Sequence, residues 1–357
     1  MRLLYLSGAR NYLRFKIDPF RDPSFIYRLH NPAISATELG HKVGIKHLLD
    51  LNIPFVDKGW DVAIIHRPSF NSTFVKAVRI LRNNNIPIYG DFDDLIFSIQ
   101  HASDRPSVKN GIESLEQSIS RINNHLKAIE LLTGVVTSNL FLAHILSEIP
   151  NSPKNILVMN NSWHFSWYKE NNKVEDLINS KFHGKKKLQL NYFSGTRTHD
   201  LDLSIISEPL YKTLKKHKNL VFVFIGKGSI PNSLNDRALK YKKIHFTDYH
   251  TAVSKAFINL APLEITTFNN AKSALKIIEA GFFGINTVCS PIPEYKNAPE
   301  ISRTIALSYN EWEESLENAI ESGHNFKMTI NRMEEVRSHY DPLTTIKKLI
   351  CRLEPLL

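Results

Sequence analysis

Residues 259–281 read NLAPLEITTFNNAKSALKIIEAG, and this stretch decides the fold. Its start, from Asn259 to Ala261, is short and apolar, which is typical of a strand buried in a sheet. A loop follows at Pro262, and the spacing of apolar residues then predicts a helix that starts near Asn270 and runs to Gly281. Strand, loop and helix form the repeating unit of parallel α/β sheets, in which ligands bind just after the strands end.

The charged residues of this predicted helix indicate a nucleotide-binding site. Lys272, Lys276 and Glu279 are spaced four and three residues apart, so a helix would place them on one face. Two lysines near a helix start oppose the helix dipole at a cost of about 0.3–1 kcal/mol each, and a bound diphosphate would reverse that sign. Glu279 would accept hydrogen bonds from ribose hydroxyls. The alternative interpretation is ordinary pairing of lysine and glutamate on the surface of an amphipathic helix.

The same order of strand, loop and helix recurs along the chain and predicts an α/β fold with mainly parallel sheets. In the first half the predicted strands are residues 3–7, 61–65, 86–89, 134–137 and 154–159. In the second half they are residues 187–193, 220–225, 243–246, 257–261 and 286–289. Helical periodicity fills most of the segments between them, including residues 36–52.

The length of 357 residues exceeds what one ordinary core needs and favours two domains. A polar segment rich in Asn, Lys and Trp favours a boundary within residues 161–187. We therefore predict an N-terminal Rossmann-like domain at residues 1–170, a linker at 171–186 and a C-terminal Rossmann-like domain at 187–335. Residues 336–357 are predicted to include a helix that packs back on the N-terminal domain.

Composition and charge narrow the classes of function. The net charge of +10 implies an anionic partner, such as a phosphorylated substrate, a membrane face or nucleic acid. Two cysteines are too few for a disulfide framework or a four-ligand zinc site, which favours a reducing cytoplasm. The apolar run at residues 3–6 is too short for a signal peptide or a membrane span. The histidines show no metal-ligand spacing and no P-loop is visible, so we expect neither a metal nor a cofactor.

Two more loops after predicted strands of the second half are suited to phosphate. In the first, Gly195 lets a ligand approach the backbone, Thr196 precedes a helix start, and Arg197 can pair with phosphate oxygens. In the second, Gly226 and Lys227 again combine close approach with a positive charge. Each loop is also compatible with a plain turn between a strand and a helix.

The first half carries a cluster of acids where a predicted strand ends. Asp91, Asp93 and Asp94 fall within four residues, and their repulsion calls for a cation, hydrogen-bond donors or a catalytic role nearby. Helix capping by Asp93 or Asp94 is the alternative. Arg28 and Arg67 stand at loop positions suited to holding an acceptor, although each taken singly is better explained by ordinary turn chemistry.

With these motifs the chain resembles the GT-B glycosyltransferases, specifically the family 4-like enzymes of bacterial surface polysaccharide synthesis. The similarity is densest in the second half, at YFSGT (192–196), NLAPLE (259–264) and NAKS (270–273). In the first half, YR (27–28), RP (67–68) and DFDDLIF (91–97) are similar to this group too. The resemblance implies the GT-B architecture, two Rossmann-like domains with parallel sheets facing a central cleft. It also implies acceptor binding in the first domain and nucleotide-sugar binding in the second.

The resemblance further implies retaining, metal-independent transfer of a sugar from a nucleotide-sugar donor to a glycan or lipid-linked acceptor. Glu279 matches the second acid of the family's Glu-x7-Glu signature, the one that holds ribose. The first acid would fall at Ala271, and this departure leaves the contact to the donor sugar open. Lys272, Ser273 and Lys276 are expected to take over contacts to the diphosphate.

These considerations give each candidate residue a role. Arg197 and Lys272 would stabilise negative charge on the departing nucleoside diphosphate, an effect that is usually among the largest in catalysis. Asp93 or Asp94 would orient the acceptor or act as base. The donor would be held by Gly195, Thr196, Gly226, Lys227, Ser273, Lys276 and Glu279, and the acceptor by Arg28, Arg67 and Asp91.

Three other functions stay open on the sequence alone. A sugar-nucleotide epimerase of GT-B fold would use the same second domain without transfer. A sugar-binding protein without activity is compatible with the missing acid at Ala271. A nucleic-acid-binding protein is disfavoured because the lysines scatter or follow strands instead of forming a basic stripe. For a transferase we expect a cytoplasmic location, with the basic surface in peripheral contact with the anionic inner face of the membrane.

Overall fold

The first half of the chain forms a six-stranded sheet in which all strands are parallel. The computed structural model describes residues 1–8, 18–56, 59–170, 187–195 and 200–357. The strand order is β2-β1-β3-β4-β5-β6. The strands are β1 Arg2–Ser7, β2 Lys42–His47, β3 Val62–His66, β4 Ile88–Phe92, β5 Gly134–Thr137 and β6 Asn155–Val158. The order reverses between β1 and β3, so the crevice for a ligand opens beside the carboxyl ends of these two strands.

The second half forms another parallel six-stranded sheet, with the order β12-β11-β10-β7-β8-β9. Its strands are β7 Leu188–Ser194, β8 Leu220–Gly226, β9 Ala238–Tyr241, β10 Ile258–Ala261, β11 Asn286–Cys289 and β12 Arg303–Ile305. Here the order reverses between β7 and β10. The predicted α/β class with two parallel sheets is thereby confirmed.

Helices cover the sheets. The α-helices of the first half are Pro23–Phe25, Asn31–Glu38, Ile53–Val56, Ser72–Asn83, Pro106–Lys109, Leu115–Ile129 and Leu140–Ser147. Those of the second half are Asp200–Ser204, Ser207–Lys216, Phe246–Ser254, Thr267–Asn270, Leu275–Gly281, Pro293–Asn297, Trp312–Gly323, Phe326–His339 and Pro342–Leu353. A π-helical turn spans Ile26–His30, and short 3-10 turns are Pro19–Arg21, Leu48–Asp50, Ala102–Asp104, Phe165–Glu170, Asn232–Arg237, Glu300–Ser302, Tyr309–Glu311 and Glu354–Leu356. No helix among these is long and apolar enough to span a bilayer.

The helix predicted over residues 36–52 is wrong beyond Glu38, where the observed helix Asn31–Glu38 ends and the edge strand β2 follows. Val43 and Ile45 alternate with lysines at a spacing of two, which is typical of a strand. Gly44 lets this strand lie against Trp60, because a Cβ at Gly44 would stand 2.7 Å from the indole ring. The leucines that suggested helical spacing, Leu48 and Leu49, belong to the next 3-10 turn.

The strand predicted at residues 243–246 is also wrong. The strand lies earlier, at β9, and Phe246 instead begins the helix Phe246–Ser254. His245 caps this helix by accepting a hydrogen bond from the Thr247 amide, an uncommon role for histidine that the sequence did not reveal. Strand β12 has three residues and left too short a pattern to predict.

The two halves are packed against each other. The helix Pro342–Leu353 at the end of the chain packs on the helix Asn31–Glu38 of the first half. Phe246 of the second half makes an edge contact with Tyr27 and stacks on Trp167. This packing brings the carboxyl ends of both sheets to a common cleft.

Candidate functional site

A cavity of about 520 Å³ lies between the two halves. Its wall includes the predicted residues Arg67, Asp93 and Asp94 of the first half and Lys272, Ser273 and Lys276 of the second half. A smaller cavity of about 100 Å³ adjoins it, because Tyr27, Phe193, Gly195 and Lys276 line both. The structure therefore brings part of the predicted residues of both halves together in one cleft.

The smaller cavity has apolar walls and a basic rim. Its apolar lining includes Phe193, Ile225, Ile244 and Phe246, and its cations are Arg21, Lys243 and Lys276. Burial lowers the pKa of Lys243, and nearby Lys227, Lys276 and Arg21 lower it further against the opposing effect of Asp22. So many cations around one small apolar cavity favour an anionic ligand with a flat apolar part.

Glu279 lies at the end of this smaller cavity and is buried, with 4% of its surface exposed. Its Oε1 accepts a hydrogen bond from the Tyr27 hydroxyl at 2.8 Å, and its Oε2 accepts one from the Tyr249 hydroxyl at 2.7 Å. Lys276 Nζ lies 3.5 Å from Oε2. Burial and the Glu279 charge raise the pKa of both tyrosines well above the usual value, so both hydroxyls stay protonated and donate. Glu279 therefore links the two halves.

The π-helical turn Ile26–His30 aims Tyr27 into this link. Pro32 follows the turn and has no N–H to donate to the Arg28 carbonyl four residues earlier, which favours a widened turn at this point. Single π-helical turns of this kind are frequently found at functional sites.

We expect Tyr27→Phe to lower the free energy of unfolding by about 1–3 kcal/mol, because the buried Glu279 Oε1 loses its donor. Denaturant unfolding of the whole chain measures this change. Tyr168→Phe is the matched control, since Tyr168 is 60% exposed and should change stability by less than about 0.5 kcal/mol. Equal midpoints for the two variants would mean that the link contributes nothing.

The helix predicted from Asn270 to Gly281 is broken, and this corrects the placement of Lys272. A single turn, Thr267–Asn270, is followed by residues 271–274 outside any helix, and the helix resumes as Leu275–Gly281. Lys272 and Ser273 therefore precede the helix and do not share a helix face with Lys276. They reach the cleft from a loop.

The break is held by two asparagines of the first half. Asn139 Nδ2 donates to the Ala271 carbonyl at 2.8 Å, an oxygen that in a continuous helix would accept the Leu275 amide. Asn161 Nδ2 donates to Ser273 Oγ at 2.8 Å. Ala271 itself is 1% exposed and packs in a core cluster made mostly of first-half residues. The position at which the resemblance predicts an acid is thus occupied by a contact between the halves.

The two glycine loops stand next to the smaller cavity. Gly195 lines it, and a Cβ there would meet nothing within 4 Å. Gly226 has φ +132°, and a Cβ would stand 1.8 Å from the Ser194 carbonyl oxygen, so only glycine fits where β7 and β8 end. Lys227 is exposed, and its positive charge lowers the pKa of Lys243, which lines the smaller cavity. Thr196 and Arg197 lie outside the described residues.

Arg67 organises the acids of the first half. It follows β3 with φ +44°, in the left-handed region, and its Nε donates to Asp93 Oδ1 at 2.5 Å. Its Nη2 donates to Asp94 Oδ2 at 2.6 Å. Lys272 Nζ of the second half lies 3.7 Å from Asp94 Oδ1. The predicted catalytic residues Asp94 and Lys272 therefore face each other across the cleft.

The two acids differ in environment. Burial alone would raise the pKa of Asp93, but Arg67, His66 and Arg28 outweigh it and hold that pKa well below the usual aspartate range. A carboxylate with so low a pKa is a poor proton acceptor at neutral pH and suits an orienting role. Asp94 is more open to the cavity, with 27% of its side chain exposed against 11% for Asp93.

Arg28 and Asp91 form a buried ion pair, which argues against their predicted direct contact with an acceptor. Their side chains are 0% and 1% exposed, because Asp91 lies inside β4 and not after it. Arg28 also donates to the Met159 carbonyl at 2.6 Å and to Asn161 Oδ1 at 3.0 Å, and Asp91 Oδ2 lies 2.9 Å from His66 Nδ1. Every side of the pair is occupied by protein.

Sequence reasoning missed several residues of the cleft. Lys243 lies in the segment 243–246 that was mistaken for a strand, and Tyr249 follows this segment. Arg105, Glu113 and Arg121 line the larger cavity, and their charges looked like an ordinary solvated surface. No sequence pattern indicated the role of Asn139 and Asn161, the two asparagines that hold the helix break.

Two parallel sheets, each with its own reversal point and facing one cleft, define the GT-B fold. Solved structures agree with this class over the full length. The chain is similar to HepE of Anabaena in complex with UDP-glucose, with a TM-score of 0.66 and 10% identity over 99% of this chain and 100% of that one. It is also similar to a glycosyltransferase from Rickettsia africae, with a TM-score of 0.64 and 12% identity over 99% of each chain.

The same fold is found in a protein of another activity. UDP-GlcNAc 2-epimerase from Neisseria meningitidis, bound to UDP-GlcNAc, is similar with a TM-score of 0.59 and 13% identity over 99% of this chain and 100% of that one. The sequence matches no protein-family model, and it has no significant match among curated proteins. At these identities the similarity shows the fold alone.

Proposed function

We propose that this protein is a glycosyltransferase that moves a sugar from a nucleotide-sugar donor to a glycan or lipid-linked acceptor. The observation that carries the proposal is the single cleft that joins the pocket of Glu279 and Lys276 to the acids Asp93 and Asp94. One end is apolar with a basic rim, as a base and diphosphate require. The other end offers carboxylates to an acceptor hydroxyl.

In this proposal the nucleotide occupies the smaller cavity and its diphosphate lies toward Lys272 and Lys276. These cations would stabilise the charge that builds on the leaving group, together with Arg197. Ribose hydroxyls would donate to Glu279 in place of the two tyrosines. Asp94 would accept a hydrogen bond from the acceptor hydroxyl, and closure of the halves would exclude water. Retention of configuration and independence of metal belong to the same proposal.

Binding of UDP tests the donor part, since UDP or UDP-sugars are bound in several structures of this fold. We expect calorimetry to detect UDP binding to the whole chain. Lys272→Ala should weaken it about tenfold, the loss of one charge-assisted contact. Lys255→Ala removes an exposed lysine of the same half and should leave the affinity unchanged. Equal affinities of wild type and K272A would contradict the central claim.

Epimerisation is the second candidate, because UDP-GlcNAc 2-epimerases share this fold. Incubation with UDP-GlcNAc, followed by NMR of the sugar protons, separates the two. A new sugar nucleotide without release of UDP would favour the epimerase. Release of UDP that depends on added acceptor would favour transfer.

A role in surface polysaccharide synthesis and a peripheral contact with the inner membrane face follow from the same proposal. The net charge of +10 supports the membrane contact. Sedimentation with anionic lipid vesicles, compared with neutral vesicles, tests it.

A further inference from the structure

The wall of the larger cavity on the first-half side carries charges that the donor chemistry does not use. Arg105, Ser107, Glu113 and Arg121 line this part, and we call these four residues the arginine wall. The wall adjoins the acids at the acceptor end, because Arg105 interacts electrostatically with Asp94. It therefore stands where an acceptor would extend away from the reacting hydroxyl.

Arg105 has unused hydrogen-bonding capacity. Its Nη1 donates to Ser118 Oγ at 3.2 Å, while its Nε is buried and finds no acceptor among the residues that the structure describes. Burial lowers the pKa of this guanidinium, and the charges of Arg121 and Arg67 lower it further, against the opposing effects of Glu113 and Asp94. A charged guanidinium with a buried donor that lacks an acceptor is costly, and the negative charge of an anion in the cavity would offset part of that cost.

Glu113 does not neutralise the wall. Its Oε1 lies 3.2 Å from Arg121 Nε, and its Oε2 accepts from the Ser107 hydroxyl at 2.9 Å. One carboxylate thus faces two guanidinium groups, which leaves the wall with an excess positive charge. This excess does not include Arg67, because its guanidinium group already donates to Asp93 and Asp94.

We propose that the arginine wall binds a phosphate group of the acceptor, with the guanidinium groups of Arg105 and Arg121 as donors. Guanidinium forks match phosphate oxygens in geometry and charge. The inference rests on the proposed function, since it assigns the acceptor to this end of the cleft. The phosphate belongs to a phosphorylated sugar or to a lipid phosphate, and the test separates these two sources.

The test compares paired probes by calorimetry on the whole chain. One pair is glucose 6-phosphate and glucose, and the other is farnesyl phosphate and farnesol. We expect the phosphate of at least one pair to bind about tenfold tighter than its uncharged partner, and the responding pair identifies the source. Equal binding within both pairs overturns the proposal.

Variants locate the binding. Arg105→Gln should weaken the preferred phosphate probe about tenfold, and Arg121→Gln, at a side chain that is 65% exposed, should weaken it about threefold. Glu113→Gln removes the competing charge and should tighten binding, a change of opposite sign. Lys127→Gln, an exposed charge on the same helix as Arg121, is the control and should bind as wild type. Wild-type affinity in both arginine variants overturns the proposal.

UDP binding measured alongside separates this inference from the proposed function. Binding of the phosphate probes without binding of UDP contradicts the donor site and leaves the arginine wall supported. Binding of UDP without any phosphate preference overturns the arginine wall alone.

Discussion

Arg28→Met should lower the free energy of unfolding by about 3–5 kcal/mol, the usual loss when one member of a buried ion pair is removed. Asp91 would then keep only its contact with His66 while 1% exposed. Denaturant unfolding and thermal melting of the whole chain measure the loss. The variant also distinguishes a structural role from direct acceptor binding, since an acceptor contact would leave stability unchanged.

A second pair on the surface provides the control. Arg2 binds Asp61 with the same two-point geometry, Nη2 to Oδ1 at 2.7 Å and Nε to Oδ1 at 3.0 Å, but the side chains are 49% and 30% exposed. Arg2→Met should therefore cost less than about 1 kcal/mol. Similar losses in R2M and R28M would show that burial does not set the strength of the Arg28 pair.

The same pair predicts how stability changes with pH. Burial raises the pKa of Asp91, but Arg28 and His66 outweigh it and leave that pKa below the usual range. A lowered pKa in the folded state stabilises the fold above the unfolded-state pKa of about 3.9 and loses this contribution as pH falls below it. The stability of R28M should depend less on pH in this acid range. Without Arg28, the folded-state pKa of Asp91 moves toward its unfolded-state value.

Asp94→Asn should lower turnover about 10²- to 10⁴-fold while changing UDP affinity less than about threefold. The amide keeps the shape of the side chain beside Arg67 and Lys272 but cannot accept a proton or balance both cations. Release of UDP from the sugar nucleotide that gives the largest thermal shift measures turnover, and calorimetry with UDP measures donor binding.

Asp50→Asn is the matched control for this variant, since Asp50 is an exposed aspartate of the first half. We expect it to match wild type in turnover and UDP affinity. Equal losses of turnover and UDP affinity in D94N would place Asp94 on the donor and contradict its acceptor-side role.

The architecture could be predicted because each strand carries its own local signal. The buried apolar runs of β1, β3 and β5 are continuous, and glycines such as Gly195 and Gly226 mark the loops after β7 and β8. Periodicity of this kind needs only neighbours in sequence. Two of the errors arose where the local pattern was ambiguous, at residues 36–52 and 243–246, and the third is the break in the helix predicted from Asn270 to Gly281.

The types of residue that line the cleft could be predicted from the sequence, but the contacts that these residues make with each other could not. Tyr27 and Glu279 are 252 residues apart, and nothing in either segment indicates that a hydroxyl of one half meets the acid of the other. For Arg28 and Asp91 the predicted partner was wrong: both were expected to contact an acceptor, and they bind each other instead. A cation and an acid at apparent loop positions turned out to be buried together, because the π-helical turn directs Arg28 inward and β4 extends through Asp91.

The packing around Ala271 constrains how the donor specificity of this chain can evolve. An acid restored at this position would enter a closed environment beside Phe268, and the Asn139 contact holds the backbone at that point. A glutamate at this position would reach a bound sugar only if the first-half surface moved away at the same time. The two halves depend on each other at this residue, so we expect changes of donor specificity to come from other side chains of the cleft.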